Sequence, residues 1–287
     1  MKSFDMLNPV TVLCFYVFAV CIPMFSLNPV TASVSLFGAV LFDIVTNGKV
    51  TKKYAYFFLL FAVCVIINPL FNKNGSSVLF FINDTPITYE SVIYGIVSGI
   101  TLISVIVWFS TFSHIMTSEK IIYVFGRISP KTALIISMSV RFFPLFLKNY
   151  KEAENAVKCL GLYNCDTLFG ALKVKIRAFS ALITRVTEEG IITADSMEAR
   201  GYGKKRRSSF SLFKFTVNDF VYIFIFLIFG VLSFISSEST VFYPTVSDIP
   251  FSGFNIFGYV CYFLLVLMPT AISVCEGARW KYLLSKI

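Results

Sequence analysis

One cation stands near the end of a predicted helix, with acidic residues before it and a glycine after it. Arg200 lies between Ala199 and Gly201, and it follows Asp195 and Glu198 in the sequence. A guanidinium presents its N–H donors in a fixed planar fork, and its hydrogen bonds to carboxylates are short and strong. The chemistry that these residues suit is charge-assisted binding to an acidic surface on a partner.

A helix of about 20 residues is predicted to position Arg200, because residues 178–201 contain no proline. One face of it has the i, i+3, i+4 spacing of a packing surface: Leu182, Val186, Gly190, Thr193 and Met197. Charged residues lie off this face: Arg185, Glu188, Glu189, Asp195 and Glu198. Gly201 can adopt the left-handed conformation that ends helices, which leaves Arg200 at the negative end of the helix dipole. An ordinary helix end would use the same two residues, so this interpretation stays open.

The composition is that of an integral membrane protein. Of 287 residues, 56% are hydrophobic and 17% aromatic, while 14% are charged. A membrane-spanning helix needs about 20 apolar residues. Five charge-free runs meet this need, at 6–42, 54–72, 91–118, 220–237 and 249–275, and the first run can hold two helices. The predicted fold is an all-α membrane protein with about six transmembrane helices and long cytoplasmic helices.

Positive charge is concentrated in one central segment. Residues 114–216 contain 17 Lys and Arg against 8 Asp and Glu, a net charge of +9 that equals that of the whole chain. Cytoplasmic loops of membrane proteins carry the excess of Lys and Arg. We therefore predict cytoplasmic termini and three domains: N-terminal transmembrane helices with an outer hairpin loop (1–113), a cytoplasmic or interfacial domain (114–216) and C-terminal transmembrane helices (217–287).

Local signals predict the boundaries of several elements. The pentapeptide Leu-Asn-Pro-Val-Thr occurs at 7–11 and again at 27–31, which indicates two similar helix starts. Turn residues flank the β-prone run 78–82, which favours a small hairpin on the outer surface. In the central domain we expect separate helical pieces at 130–147 and 151–161, followed by a long helix from Leu172. The first piece is apolar but carries Arg141, so the sequence leaves open whether it spans the membrane.

The sequence predicts no metal, cofactor or nucleotide site. Cys159 and Cys165 have no neighbouring His or further Cys, which argues against zinc. The stretch 201–204 departs from the phosphate-binding loop pattern, because Glu198 stands where the first glycine is needed and Lys205 follows the lysine. We therefore expect that this chain does not hydrolyse ATP.

The basic run Lys204–Arg207 has two interpretations. It is typical of an orientation signal that also binds anionic lipid, at about 1 kcal/mol per charge near the surface. Binding of nucleic acid is the weaker interpretation, because the run lies close to the predicted bilayer. We expect a lipid bilayer and no nucleic acid as a partner.

Four short motifs resemble the transmembrane T-component of energy-coupling factor (ECF) transporters. They are Ile67–Phe71, Met116–Ser118 with Gly126–Arg127, Arg141–Pro144 and Ala199–Gly201. The resemblance extends over nearly the whole chain and is most specific from Thr88 to Gly203. It implies a scaffold in a bacterial or archaeal cell membrane. Such a scaffold joins two cytoplasmic ABC-type ATPases to a separate membrane protein, the S-component, which binds a vitamin or a metal ion.

The resemblance also implies two coupling helices, each ending in an Ala-Arg-Gly-like motif that docks into one ATPase. The second motif is intact at Ala199–Gly201, whereas the first aligns with Cys159–Gly161, where Leu160 replaces the arginine. Lys158 is two residues earlier, about 200° around the helix, so it cannot simply replace an arginine at position 160. We therefore expect one charged contact, at Arg200, and one mainly apolar contact, at Leu160.

Other classes of membrane protein are less consistent with the sequence. A membrane enzyme or a secondary transporter needs ionisable residues in the membrane, and Asp43 is the only acid predicted within a span. The nearest alternative is a conventional ABC importer permease with its own substrate pathway. Glu152 and Ala153 resemble the coupling loop of such permeases, but the spacing of the glycines downstream differs. The sequence does not identify the transported compound.

Overall fold

Helices make up nearly all of the structure, a computed structural model that describes residues 3–48, 53–72, 75–82, 85–161, 168–203, 213, 215–237, 240, 245–246 and 253–284. In chain order the described helices are α1 (Pro9–Ser26), α2 (Pro29–Asn47), α3 (Lys53–Phe71), α4 (Tyr89–Ile115), α5 (Ser118–Ile128), α6 (Pro130–Cys159), α7 (Leu168–Ala199), α8 (Val217–Ser236) and α9 (Gly253–Leu284). The chain divides into two compact units: unit 1 comprises Met1–Thr117 and Phe213–Ile287, and unit 2 comprises Ser118–Leu212.

Among its described residues, unit 1 contains six helices that are long and apolar enough to cross a membrane: α1, α2, α3, α4, α8 and α9. This finding confirms the predicted all-α membrane protein. Helices α1 and α2 begin in the same way, with proline in the first turn after an asparagine cap. The Asn8 side chain accepts a hydrogen bond from Val10 N (3.1 Å), and Asn28 accepts one from Val30 N (3.0 Å). The repeated pentapeptide therefore marks two equivalent helix starts, as predicted.

The core of unit 1 is an aromatic cluster. Phe4, Phe15, Phe42, Trp108 and Phe226 are all at most 1% exposed, and neighbouring ring centroids lie 5.4–6.1 Å apart. These rings come from the start of the chain and from α1, α2, α4 and α8. Because large aromatic side chains dominate packing energetics, the cluster joins these helices into one body.

Three further acids lie within the candidate spans of the described residues, Glu90, Asp219 and Glu276, which corrects the prediction that Asp43 is the only one. Glu90 lies in the first turn of α4 and Asp219 in the first turn of α8, and both are buried. Asp219 accepts hydrogen bonds from Asn8 N (2.9 Å), Thr216 N (2.9 Å) and Thr216 Oγ1 (2.6 Å). The carboxylate is satisfied because unpaired N–H groups point towards it at the helix start. It links the start of α8 to that of α1.

A two-stranded antiparallel sheet connects α3 and α4. Strand β1 (Val78–Ile82) pairs with β2 (Thr85–Thr88). This pairing confirms the predicted hairpin in the loop between these two helices.

Unit 2 differs from the prediction in the length of its helices. The pieces expected at 130–147 and 151–161 form one helix, α6, of 30 residues that continues through Pro144. Helix α7 is 32 residues long and begins at Leu168, four residues before the predicted start at Leu172. An interior proline removes one backbone hydrogen bond, but most helix stability in proteins comes from packing, which α6 and α7 provide for each other. Helix α6 is not among the candidate membrane spans.

Candidate functional site on helices α6 and α7

Helices α6 and α7 pack side by side in antiparallel directions. Arg185 of α7 contacts Glu152 of α6, with 3.5 Å between Nη1 and Oε2. Further along, Asn149 Nδ2 of α6 lies 3.5 Å from Glu189 Oε1 of α7. Residue numbers rise along one helix as they fall along the other, so the two carboxyl ends lie at opposite ends of the pair. At about 1.5 Å per residue, Cys159 and Ala199 are separated by roughly 30 Å along the pair.

The predicted packing face of α7 is confirmed. Its members are partly buried, except for Gly190, and buried residues continue the face towards the amino end of the helix: Gly170, Val174 and Ala178. Phe142 and Phe146 of α6 line a small cavity together with Val186 and Thr193. Around Val186 and Thr193 the packing face therefore meets α6.

Two of the charges predicted to lie off this face take part in the contact between the helices. Arg185 Nε lies 3.2 Å from Glu189 Oε1 on its own helix, and the same guanidinium reaches Glu152 on α6. Glu152 and Asn149 were not recognised from the sequence as partners of α7. No local pattern indicates them, because they lie 33 and 40 residues from the residues that they contact.

The helix end at Arg200 has the predicted left-handed glycine. Gly201 has φ 83°, Gly201 N donates to Glu198 O (2.8 Å), and Tyr202 N donates to Met197 O (2.9 Å). These two backbone bonds form a Schellman motif, which satisfies carbonyl groups of the last turn. Among the described residues, Arg200 forms no ion pair, and its side chain is exposed beside the exposed Asp195 and Glu198. The guanidinium is thus accessible to a partner.

The end of α6 has a similar backbone but a different side chain. Gly161 has φ 62°, and Gly161 N donates to Lys158 O (3.1 Å). Leu160 is 67% exposed, and Cys159 beside it is also exposed. Burial of a large apolar side chain in this position by a partner would be favourable, because it removes apolar surface from water. The two helix ends therefore present an arginine and a leucine at equivalent positions.

Lys158 is already engaged by a neighbour on its own helix. Its Nζ lies 2.7 Å from Glu154 Oε1, one turn back from the helix end. This hydrogen bond lowers the pKa of the Glu154 carboxyl, as do the positive charges of Lys158 and Lys175, against a smaller opposing effect of burial. The lysine is therefore engaged with Glu154 on its own helix.

Unit 1 has an apolar cavity between α1 and α4. Its volume is about 300 Å³. It is lined by Leu13, Tyr16, Val17, Val20, Cys21, Trp108, Phe109 and Phe112. Binding sites for polar compounds present several convergent polar groups, because a buried polar ligand without hydrogen bonds is costly. This lining does not suit a polar cargo.

The basic run Lys204–Arg207 and Cys165 lie outside the described residues. Within the described ranges, His, Cys, Asp and Glu do not form a group of three or more that could hold a metal ion.

The two units together define a multi-pass membrane protein that carries a pair of long helices with exposed ends. A family model described as cobalt transport protein (CbiQ) matches residues 2–212, and the chain belongs to this family. The matched region runs from the start of the chain past the helix end at Arg200, and it confirms the resemblance to a transporter T-component. The protein is a membrane transport component. No curated protein matches the chain.

Proposed function

We propose that this protein is the energy-coupling membrane subunit of an ECF-type ABC importer. It transmits motion from two cytoplasmic ABC-type ATPases to a substrate-binding membrane subunit that takes up a vitamin or a metal ion. The observation that carries the proposal is the pair of exposed helix ends at Leu160 and Arg200. They have similar backbone geometry, and they lie at opposite ends of one packed pair of helices.

The arrangement of α6 and α7 suits the transmission of motion. Each helix end reaches one ATPase, since the ends are roughly 30 Å apart along the pair. The contact of Arg185 with Glu152 and that of Asn149 with Glu189 join the two helices, so a push on one end displaces both. Packed helices shift between discrete arrangements, which is what the coupling of a motor to a gate requires.

Helix α7 has a second apolar face that suits the S-component. Four exposed residues recur on one side of its first half: Leu172, Ile176, Phe179 and Ile183. They lie on roughly the opposite side of the helix from the buried Val174 and Ala178. An apolar stripe of this kind marks an interaction surface when water would otherwise cover it. We assign it to the substrate-binding membrane subunit.

A conventional ABC permease with its own substrate pathway is the second candidate. The apolar lining of the α1–α4 cavity argues against it, because that cavity offers a polar cargo few hydrogen bonds. Mass spectrometry of the intact purified complex distinguishes the two. We expect two ATPase subunits and a separate small membrane subunit to accompany this chain. Substrate uptake by the chain and its ATPases alone, without a third kind of subunit, would support the permease instead.

The proposed orientation places both termini and residues 114–216 in the cytoplasm, between transmembrane domains 1–113 and 217–287. Single cysteine probes test it, in a chain from which the seven native Cys have been removed. We expect probes at Lys205 and Lys281 to react only from the cytoplasmic side, and probes at Asn74 and Ser247 only from outside. Lys205, Asn74, Ser247 and the side chain of Lys281 lie outside the described residues. If the Asn74 probe is labelled only after the membrane has been permeabilised, the proposed orientation is wrong.

A further inference from the structure

The hairpin between α3 and α4 exposes an apolar strand. Val78, Leu79, Phe80 and Phe81 of β1 are 47%, 54%, 52% and 70% exposed. Residues 75–82 contain no charge. An exposed apolar edge strand in water is an aggregation hazard, and an isolated two-stranded hairpin is marginally stable. A medium other than water is therefore expected to cover β1.

Both faces of β1 are apolar, and Ile87 of β2, on the face of Phe80, is buried within the protein. Phe80 pairs with Ile87, and the next residue, Phe81, pairs with Pro86. Successive residues of a strand point to opposite faces, so the two phenylalanines stand on different sides of the sheet. An antiparallel sheet that packs on one surface alternates apolar and polar residues. The pattern of β1 instead fits a strand that apolar surroundings contact on both sides.

Hydrogen bonds hold the hairpin to the first turn of α4. The buried Glu90 carboxylate accepts bonds from Ser77 Oγ (2.8 Å), Ser77 N (3.2 Å) and Ser76 Oγ (3.2 Å). Tyr89 N donates to Ser77 O (3.0 Å). Gly75 has φ 142°, and a Cβ there would lie 2.7 Å from Glu90 Oε2. The base of the hairpin is therefore fixed at the level where the α4 span begins.

The exposed surface of α3 continues into the hairpin. Almost none of this span is buried within the structure. Its last residues are exposed and apolar, and they lead into the loop before β1: Ile66, Ile67, Leu70 and Phe71. A span with this surface faces lipid, since apolar side chains are the ones that a bilayer core accepts. The same lipid therefore borders the hairpin.

We propose that the β1–β2 hairpin is a membrane anchor that inserts Phe80 and Phe81 into the lipid leaflet bordering this end of α3 and α4. The hairpin then lies at the boundary between headgroups and acyl chains, the depth at which interfacial helices bury their Trp, Phe and Leu side chains. The anchor steadies the loop between the two spans. It does not depend on the ATPase contacts at Leu160 and Arg200.

The test uses tryptophan as a probe on each face of the hairpin. The separate variants Phe80→Trp and Phe81→Trp are purified with any bound subunits and reconstituted in vesicles. The acyl chains of these vesicles carry bromine either near the headgroup or near the chain end. Bromine quenches tryptophan only at close range. The unmodified complex, measured in the same way, gives the background emission, and Val63→Trp near the middle of α3 is the control for a lipid-facing site.

Both hairpin variants are expected to be quenched to a similar extent, and more strongly by bromine near the headgroup than by bromine near the chain end. Val63→Trp is expected to show the opposite preference. Quenching of only one hairpin variant would mean that a protein surface covers the other face, and it would overturn the proposal. Quenching of neither variant, with Val63→Trp still quenched, would also overturn it.

Discussion

Arg200→Glu is expected to abolish the retention of one ATPase on this protein and to stop uptake, while the protein still inserts into the membrane. Loss of one partner from a desolvated, hydrogen-bonded charge pair costs about 2–5 kcal/mol, or at least about 30-fold in affinity. The substitution also places a negative charge at the negative end of the helix dipole. Copurification of each ATPase and uptake in reconstituted vesicles measure the effect.

The structure separates this effect from damage to the helix end. The two bonds that close the end of α7 use only the backbone groups of Gly201, Tyr202 and the residues to which they donate. Arg200→Lys is the matched control, because it keeps the charge but lacks the planar fork, and we expect partial retention. If Arg200→Glu copurifies its ATPases normally and supports transport, Arg200 is only a helix-end charge.

Leu160→Asp is expected to weaken retention of the other ATPase strongly. Full burial of a leucine side chain contributes about 1.5–3 kcal/mol, or roughly 10-fold to 150-fold in affinity. The aspartate adds the cost of taking a charge out of water. Because Leu160 is exposed in the isolated chain, the substitution should cost the fold little. The retention of this ATPase on the immobilised membrane protein measures the loss of affinity.

Lys158→Ala is the control beside this position. Its Nζ is bound to Glu154 and lies one turn back from the tip, so we expect only a slight loss of retention. Leu160→Met keeps an apolar side chain of similar size and should bind nearly as well as the native protein. A Lys158→Ala defect as large as that of Arg200→Ala would show that the lysine makes the contact.

Local and compositional signals predicted much of this structure correctly. Six spans follow from apolar runs, because the bilayer sets the length of a spanning helix. The left-handed Gly201 follows from its place after the last periodic residue. The division of α6 into two pieces was wrong, because the apolar run ends at Leu147 and charged residues follow it. The continuity of α6 depends on packing with α7, which no local window contains.

The contacts that join distant parts of the chain could not be predicted. Arg185 meets Glu152 across 33 residues, and Asn8 meets Asp219 across 211. The sequence placed the start of the α8 span at Phe220 because Asp219 is charged. In the structure that aspartate is buried as the acceptor at the helix start. A buried acid of this kind is recognisable only when its donors are known.

The central claim is that two equivalent helix ends bind two ATPases by different forces. The most direct test is the retention of each ATPase across a salt series on immobilised Leu160→Ala and Arg200→Ala variants, in which only one contact remains intact. Screening lengths fall from about 10 Å at 0.1 M salt to about 3 Å at 1 M, whereas burial of apolar surface is not screened. In the Leu160→Ala variant the remaining contact is Arg200, so retention of its ATPase should fall steeply as salt rises. In the Arg200→Ala variant the remaining contact is Leu160, and retention of its ATPase should change little. Equal salt dependence in the two variants would contradict the account.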